Sequence, residues 1–373
     1  MNHHHDLVAA FLPMTVPSPL ALPDSWIARS VMQKAIRRAE TELAGRAAVT
    51  LLRMDRTATW QRLLLIAYED VGIGGLDAVV ATTTMMSVRN RRNLGDDALV
   101  AAAIARMLAS AIKDRGAEGL SCAAIKHPAL GPLRHLLATL AIPHVLGMVR
   151  DSSLPLVERA VAAWNASGVD SWPNRRVGPG DLSALLRIYQ SLGVKEEILG
   201  GVATAIRRVR EPMFVIFPLL VLAMDKGHIV DNPPQPMPMI GDLPLCALDK
   251  FTRIGKEAIA RFATTTPSIM AALNDLLPYR LWAKATGFGV FYAEGGRVFP
   301  RLAWSQSAAI ERVGIEADFM SIGFPADAVT DFLALVEVEL PHLNAIRTRL
   351  LSSSPGAATE YVSHDAHQNG TPS

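Results

Sequence analysis

The chain has 373 residues, 50% of them hydrophobic and 19% charged, with Lys+Arg 37 against Asp+Glu 35 for a formal net charge of +2. That length and apolar fraction suffice for two or three packed domains and exclude a disordered or fibrous chain. The near-balance of charge leaves any attraction to nucleic acid to local basic clusters, and the widely separated Cys122 and Cys246, without CxxC spacing, argue against a disulfide scaffold or a thiolate zinc site and fit a reducing cytoplasm.

Residues 1–23 carry His3, His4 and His5 and then Pro13, Pro17, Pro19 and Pro23, with neither a basic n-region nor a small-residue cleavage site, so they read as a flexible segment rather than a signal peptide. The histidine run is either a weak metal binder or simply part of that tail. From Asp24 the pattern turns helical. Asp24 or Ser25 can cap a helix carrying Ile27, Val31, Met32, Ala35 and Ile36. A second helix carries Leu43, Ala47, Ala48, Leu51 and Leu52, and a third carries Trp60, Leu63, Leu64, Ala67, Tyr68 and Val71, closed by Gly72, Gly74 and Gly75. An alanine-rich helix over 96–111 and another through Leu130, Leu133, Leu137 and Leu140 complete a helical domain over 24–170.

The stretch 170–180, with Pro173, Gly178, Pro179 and Gly180, reads as a boundary loop, and a helix over 181–192 opens a middle segment, 181–230. Its most apolar run, 212–224, is broken by Pro218 and is shorter than the roughly 20 residues a bilayer demands, which makes it a buried core helix. Five prolines make 231–244 an extended linker. The C-terminal domain, 245–350, opens with a helix over 248–262. Two short strands, 288–292 and 298–302, then flank a Glu294-Gly295-Gly296-Arg297 turn, and a last helix through Val329, Phe332, Leu333 and Val336 ends before Pro341. The polar tail, 352–373, reads as disordered. The expectation is a mainly α, multi-helical bundle with a small β-hairpin in its C-terminal part, cytoplasmic and without a membrane span.

No GxxxxGK[ST], HExxH, GxSxG or GxGxxG is present, which removes the sequence warrant for nucleotide hydrolysis, zinc or serine hydrolysis and dinucleotide binding and leaves no cofactor or metal implied. Candidate sites are clusters instead. Lys34, Arg37 and Arg38 fall at i, i+3 and i+4, one helix face able to meet phosphates or simply be solvated. Arg89, Arg91 and Arg92 form a second cluster and Arg207, Arg208 and Arg210 a third, each suited to a nucleic-acid backbone. Glu69 and Asp70 at a helix end call for a basic partner such as Lys34 or Arg62 and read as an ion pair rather than a catalytic pair. Asp249, Arg253 and Lys256 at i, i+4 and i+7, with Thr252, form either a salt-bridged helix face or a docking point for an anionic ligand. Glu294 and Arg297 are turn residues that can line the same site.

Residues 30–38 (SVMQKAIRR), 44–52 and 60–73 (WQRLLLIAYEDVGI) follow one another in a way that resembles the helical region, C-terminal to the ATPase module, of the RarA/MgsA family of clamp-loader-related AAA+ proteins. There an S-x-x-Q-K-S-I-R helix precedes an alanine/leucine helix and an R-R-L-x-x-x-A-x-E-D-[IV]-G helix. Residues 98–124 are similar to a later family helix, A-x-x-x-L-A-x-A-P-K-S-N, but lack its proline and its serine-asparagine pair. The resemblance spans about 25–125 and implies a clamp-loader-like oligomerising collar that serves DNA replication and repair. No ATPase motor is expected in this sequence, in which 24 residues precede Ser25. The function expected is therefore that of a bacterial, non-ATPase assembly module: a homo-oligomer through its N-terminal helices that touches DNA weakly through the basic clusters, with a replication or repair protein as partner. The alternative is an enzyme or small anionic-ligand binder with its site around Asp249, Arg253 and Lys256.

Overall fold

The computed structural model describes residues 3–170 and 180–353, and these are mainly α, 70% helical, with two small two-stranded sheets in the C-terminal half. The first half runs α1 (His3–Ala9), α2 (Ser25–Arg37), α3 (Thr41–Met54), α4 (Arg56–Ile66), α5 (Leu76–Thr84), α6 (Val88–Arg92), α7 (Asp97–Ser110), α8 (Gly116–Lys126), α9 (Gly131–Thr139), α10 (Ile142–Arg150) and α11 (Leu156–Ser167). Then come α12 (Leu182–Ser191), α13 (Glu196–Val209), α14 (Met213–Ala223), β1 (His228–Val230), β2 (Met239–Ile240) and β3 (Leu243–Pro244), followed by α15 (Arg253–Thr265), α16 (Pro267–Asn274), α17 (Trp282–Val290), β4 (Arg301–Ala303), α18 (Ser307–Met320) and α19 (Val329–Ser353).

The helix starts follow their capping residues. Asp24, Asp55, Asp96 and Asp181 each accept a backbone N–H of the first turn they precede, and Thr252 does so for α15. Apolar faces then gather into two cores. One is built mainly from residues between Val8 and Leu248, with Trp304, Ile310 and Leu351 added, and joins 24–170 to 181–230, with α2, α3 and α7 packed together and α14 against α8 and α11. The other takes α15 to α19, with Phe262, Phe288, Phe319, Phe324 and Phe332 at its centre. Helix α14 is the buried core helix that its apolar run predicts, and no described helix is long and apolar enough to cross a membrane.

Several expectations need correcting. Residues 3–9 are not a flexible tail but a helix packed on α5 and α7, with Val8 fully buried and His4 Nε2 3.5 Å from Glu197. The hairpin is not at 288–302: Phe288 and Val290 are core residues of α17, and 291–295 continue as a π-turn. Strand β4 pairs with the distant β1, and the hairpin lies at β2–β3 around Gly241. That hairpin holds the proline-rich segment to the body, because Asp242 takes both terminal nitrogens of Arg46 at 3.0 and 3.1 Å. Helix α15 starts at Arg253 rather than 248, and α19 runs through Pro341 because Leu343, Ile346 and Leu350 are buried in the second core. Most of the 170–180 boundary and of the 352–373 tail lies outside the described residues.

Candidate functional site

The two cores meet along a polar seam, and two arginines lock it. Helix α4 passes directly into a π-turn, Ala67–Val71, which inserts Glu69 and Asp70 into the seam. Arg37 Nε donates to Asp70 at 2.8 Å, its Nη2 to Glu69 at 2.7 Å and its Nη1 to the Gly295 carbonyl at 2.6 Å, so one guanidinium ties the π-turn of the first core to that of the second. Arg115 repeats the arrangement at 3.3 Å from Glu69, 3.1 Å from Asp70 and 3.2 Å from the Gly296 carbonyl. Gln33 completes the set, donating to Asp70 at 2.9 Å. Burial opposes ionisation of Asp70, but the charges of Arg37 and Arg115 outweigh it and hold the carboxyl below its usual range. Burial and the neighbouring Asp70 push Glu69 up.

The glycine of the Glu-Asp-Val-Gly run is required by this geometry. Gly72 has φ +52°, and a Cβ there would lie 2.3 Å from the Asp114 carbonyl oxygen. The residues that carry the family resemblance, Gln33, Arg37, Glu69, Asp70 and Gly72, thus form one structural lock. Glu69 and Asp70 are in a buried ion-pair network, as their position suggests, but with Arg37 and Arg115 in place of Lys34 or Arg62.

Lys34 pairs instead with Asp249, which also accepts from Ser30 Oγ at 2.9 Å and from the Phe251 N–H at 2.9 Å. The Asp249 carboxyl is held below its usual range by Lys34, against the opposing effect of burial. Gly255 fixes this loop, since a Cβ on it would lie 2.1 Å from the Asp249 carbonyl oxygen. The next residue, Lys250, points its amine at three phenyl rings, 4.3 Å from the centroid of Phe291, 4.8 Å from Phe288 and 5.4 Å from Phe251. Burial pushes the Lys250 amine below its ordinary pKa, partly offset by Asp318.

The third wall comes from α8 and α18, which cross glycine on glycine: a Cβ on Gly314 would lie 2.7 Å from the Gly119 Cα. That approach places Asp318 where Lys126 Nζ donates to it at 2.7 Å and the Tyr292 hydroxyl at 2.9 Å. Cys122 Sγ donates to Glu118 at 3.3 Å, and burial raises its thiol well above the usual range, which keeps it protonated.

Between these walls opens a cleft of about 870 Å³, within the size range of small-molecule sites. Eight basic and five acidic side chains line it. Arg62, Lys250, Lys256 and Lys284 make no ion pair among the described residues, whereas Glu118 and Glu211 are the lining carboxylates without one. Trp26 and Phe251, 55% and 56% exposed, flank its opening, with the Arg29 guanidinium 4.9 Å from the Trp26 ring. Among the described residues no cluster of His, Cys, Asp and Glu is arranged to hold a metal ion.

The sequence-derived candidates scatter around this centre. Lys34 and Arg37 are not a solvated phosphate-binding face but buried ion-pair partners, and Arg38 is half-buried, donating to the Gln235 and Glu294 carbonyls. Arg91 is likewise internal, 3.9 Å from the Trp60 ring and paired with Asp97, while Arg89 and Arg92 are exposed. Arg207, Arg208 and Arg210 are exposed at the end of α13. Asp249, Arg253 and Lys256 do not share a helix face, because Asp249 precedes the helix. Asp249 and Lys256 line the cleft, Thr252 is the α15 cap, and Arg253 is exposed outside the lining. Glu294 is buried against Arg347 at 2.6 Å, and Arg297 lines a separate cavity of about 760 Å³, paired with Glu337. Lys250 and Glu118 belong to no motif, and Arg62 lies in the 60–73 segment only as an expected partner of Glu69 and Asp70; the folding of distant segments onto one another brings the three to one cleft. Comparison of the chain with protein-family models, with curated proteins and with solved structures finds no match.

Proposed function

We propose that the chain binds a small anionic ligand with an apolar or ring-bearing body in the cleft between its two cores. The observation that carries this is the set of cations without an ion pair among the described residues, Arg62, Lys250, Lys256 and Lys284, lining one open cleft beside Trp26, Phe251, Phe288 and Phe291. Cations without carboxylate partners in a partly dehydrated cleft favour an incoming anion, and aromatic walls supply contact area for its remainder. A thermal-shift series with pyrophosphate, AMP and benzoate tests this: stabilisation at millimolar concentration in the wild-type chain and its loss in Lys256→Gln/Lys284→Gln support the site. Equal shifts in the variant, or none from any anion, overturn it.

A second reading has its own support. Arg208 Nη2 donates to the Met86 carbonyl at 2.7 Å, which draws the end of α13 against the turn that leads into α6. That contact links α13, which ends in the exposed Arg207 and Arg208, to the turn before α6, which carries the exposed Arg89 and Arg92, and exposed arginines on joined elements suit a nucleic-acid backbone, consistent with the assembly role in DNA metabolism implied by the resemblance. A gel shift whose salt dependence flattens in Arg89→Ala/Arg92→Ala/Arg207→Ala supports it, together with light scattering for self-association. A monomer that ignores DNA at low salt removes it.

A further inference from the structure

We propose that Lys250 is a carbonyl-condensing residue, whose amine forms an imine with an aldehyde or ketone group of an anionic ligand held in the cleft. This rests on the anion-binding reading of that cleft and adds a covalent step to it.

Lys250 differs from every other lysine that lines the cleft. Lys34 is neutralised by Asp249 and Lys126 by Asp318, while Lys256 and Lys284 sit exposed at the rim. Lys250 is half-buried, makes neither an ion pair nor a hydrogen bond among the described residues, and has three phenyl rings around its Nζ. Phenyl walls exclude water and offer no lone-pair acceptor; their faces attract the ammonium but replace only part of the hydration lost to burial, so the neutral nucleophilic amine gains population. The titratable groups acting on it are Asp318 of α18 and Glu118, Cys122 and Lys126 of α8, and among them only the Lys126 charge reinforces the effect of burial. The rim lysines and Arg62 remain to hold the anionic group of the same ligand.

In the step proposed, the amine lone pair attacks the carbonyl carbon, the C=O π pair moves to oxygen, and one amine proton follows it to give a carbinolamine. The hydroxyl then leaves as water with the second amine proton while the nitrogen lone pair forms C=N. One amine and one carbonyl yield one imine and one water, without oxidant or reductant.

Glyoxylate is a suitable probe, being an anion with an aldehyde. The intact chain is treated with limiting glyoxylate and cyanoborohydride, which reduces and so traps the imine, and the modified lysines are mapped by peptide mass spectrometry. Lys250 is expected to be trapped about tenfold or more faster than Lys256 or Lys284, and Phe288→Leu, which opens the ring cage to water, is expected to reduce that preference. Trapping at Lys250 no faster than at the rim lysines, or only in urea, overturns the inference. Protection of the cleft by oxalate, which has no aldehyde, separates the two levels: thermal stabilisation by oxalate without selective trapping retains the anion site and discards the imine. Selective trapping that oxalate does not suppress discards the shared site, and with it the inference in this form.

Discussion

Lys34 and Asp249 join α2 of the first core to the loop that opens the second, and both side chains are nearly sealed from water, at 3% and 6% exposure. Replacing Lys34 with Met leaves an anion in the seam with only the Ser30 hydroxyl and the Phe251 N–H to solvate it. Breaking a buried pair from one side costs about 3–5 kcal/mol, while replacing both members by apolar residues of similar volume is often neutral. Lys34→Met is therefore expected to lose about 4 kcal/mol, and Lys34→Met/Asp249→Leu to recover most of it. With a urea slope near the upper end of the ordinary range, about 3 kcal/mol per molar, the single variant's midpoint falls by more than about 1 M. Urea denaturation followed by tryptophan fluorescence at pH 7 measures all three proteins. The sign with pH follows from the Asp249 carboxyl lying below its ordinary range: the stability it contributes is full above about pH 4 and is lost as pH falls through the lower folded value. Single-variant losses below about 1 kcal/mol, as for an exposed pair, or a double variant that loses the sum of both singles, would refute the reasoning.

Asp70→Asn leaves Arg37 and Arg115 sharing only the Glu69 charge, and a loss of about 3 kcal/mol is expected in the same urea titration, with Glu69→Gln costing less because burial and Asp70 push the Glu69 carboxyl up, so its ionised form is less favoured by the fold. Gly72→Ala forces a side chain onto φ +52° and against the Asp114 carbonyl, so a loss of more than about 2 kcal/mol is expected by urea denaturation, against a gain of up to about 1 kcal/mol for Gly147→Ala inside α10, whose Cβ would meet nothing within 4 Å. Burial pushes the Lys113 amine down to about 7, so above that pH the unfolded chain holds a proton that the folded one has released. Stability then rises with pH between about 7 and 10, by at most about 1.4 kcal/mol per unit from this group. Lys113→Met is expected to flatten that slope in urea midpoints measured at pH 7, 8 and 9, and an unchanged slope contradicts the assignment.

The helical class, the Asp24 cap, the buried helix at Met213–Ala223 and the stop at Gly72 are legible in the chain itself, because capping, apolar spacing and glycine conformation are local physics. The Glu69-Asp70 ion pairing is legible too, since carboxylates at the C-terminal end of a helix demand a cation. What escapes is which cation, for Arg115 lies 45 residues beyond Asp70 and reaches it only through the turn packed on Gly72. Residues 288–292 alternate like a strand but bury Phe288 and Val290 as a helix, because the phenylalanine core of the second half lies on that side. Lys34, Arg37 and Arg38 share a face as their spacing requires, yet that face meets the second half of the chain, not solvent. The cleft belongs wholly to tertiary structure. Its lysines come from α2, α8, the 249–251 loop, α15 and α17, and whether each is neutralised, hydrated or left alone among rings depends on which distant carboxylate the fold delivers to it. Local sequence sets what each residue can do, but charge compensation is decided over distances in space that residue spacing along the chain does not encode.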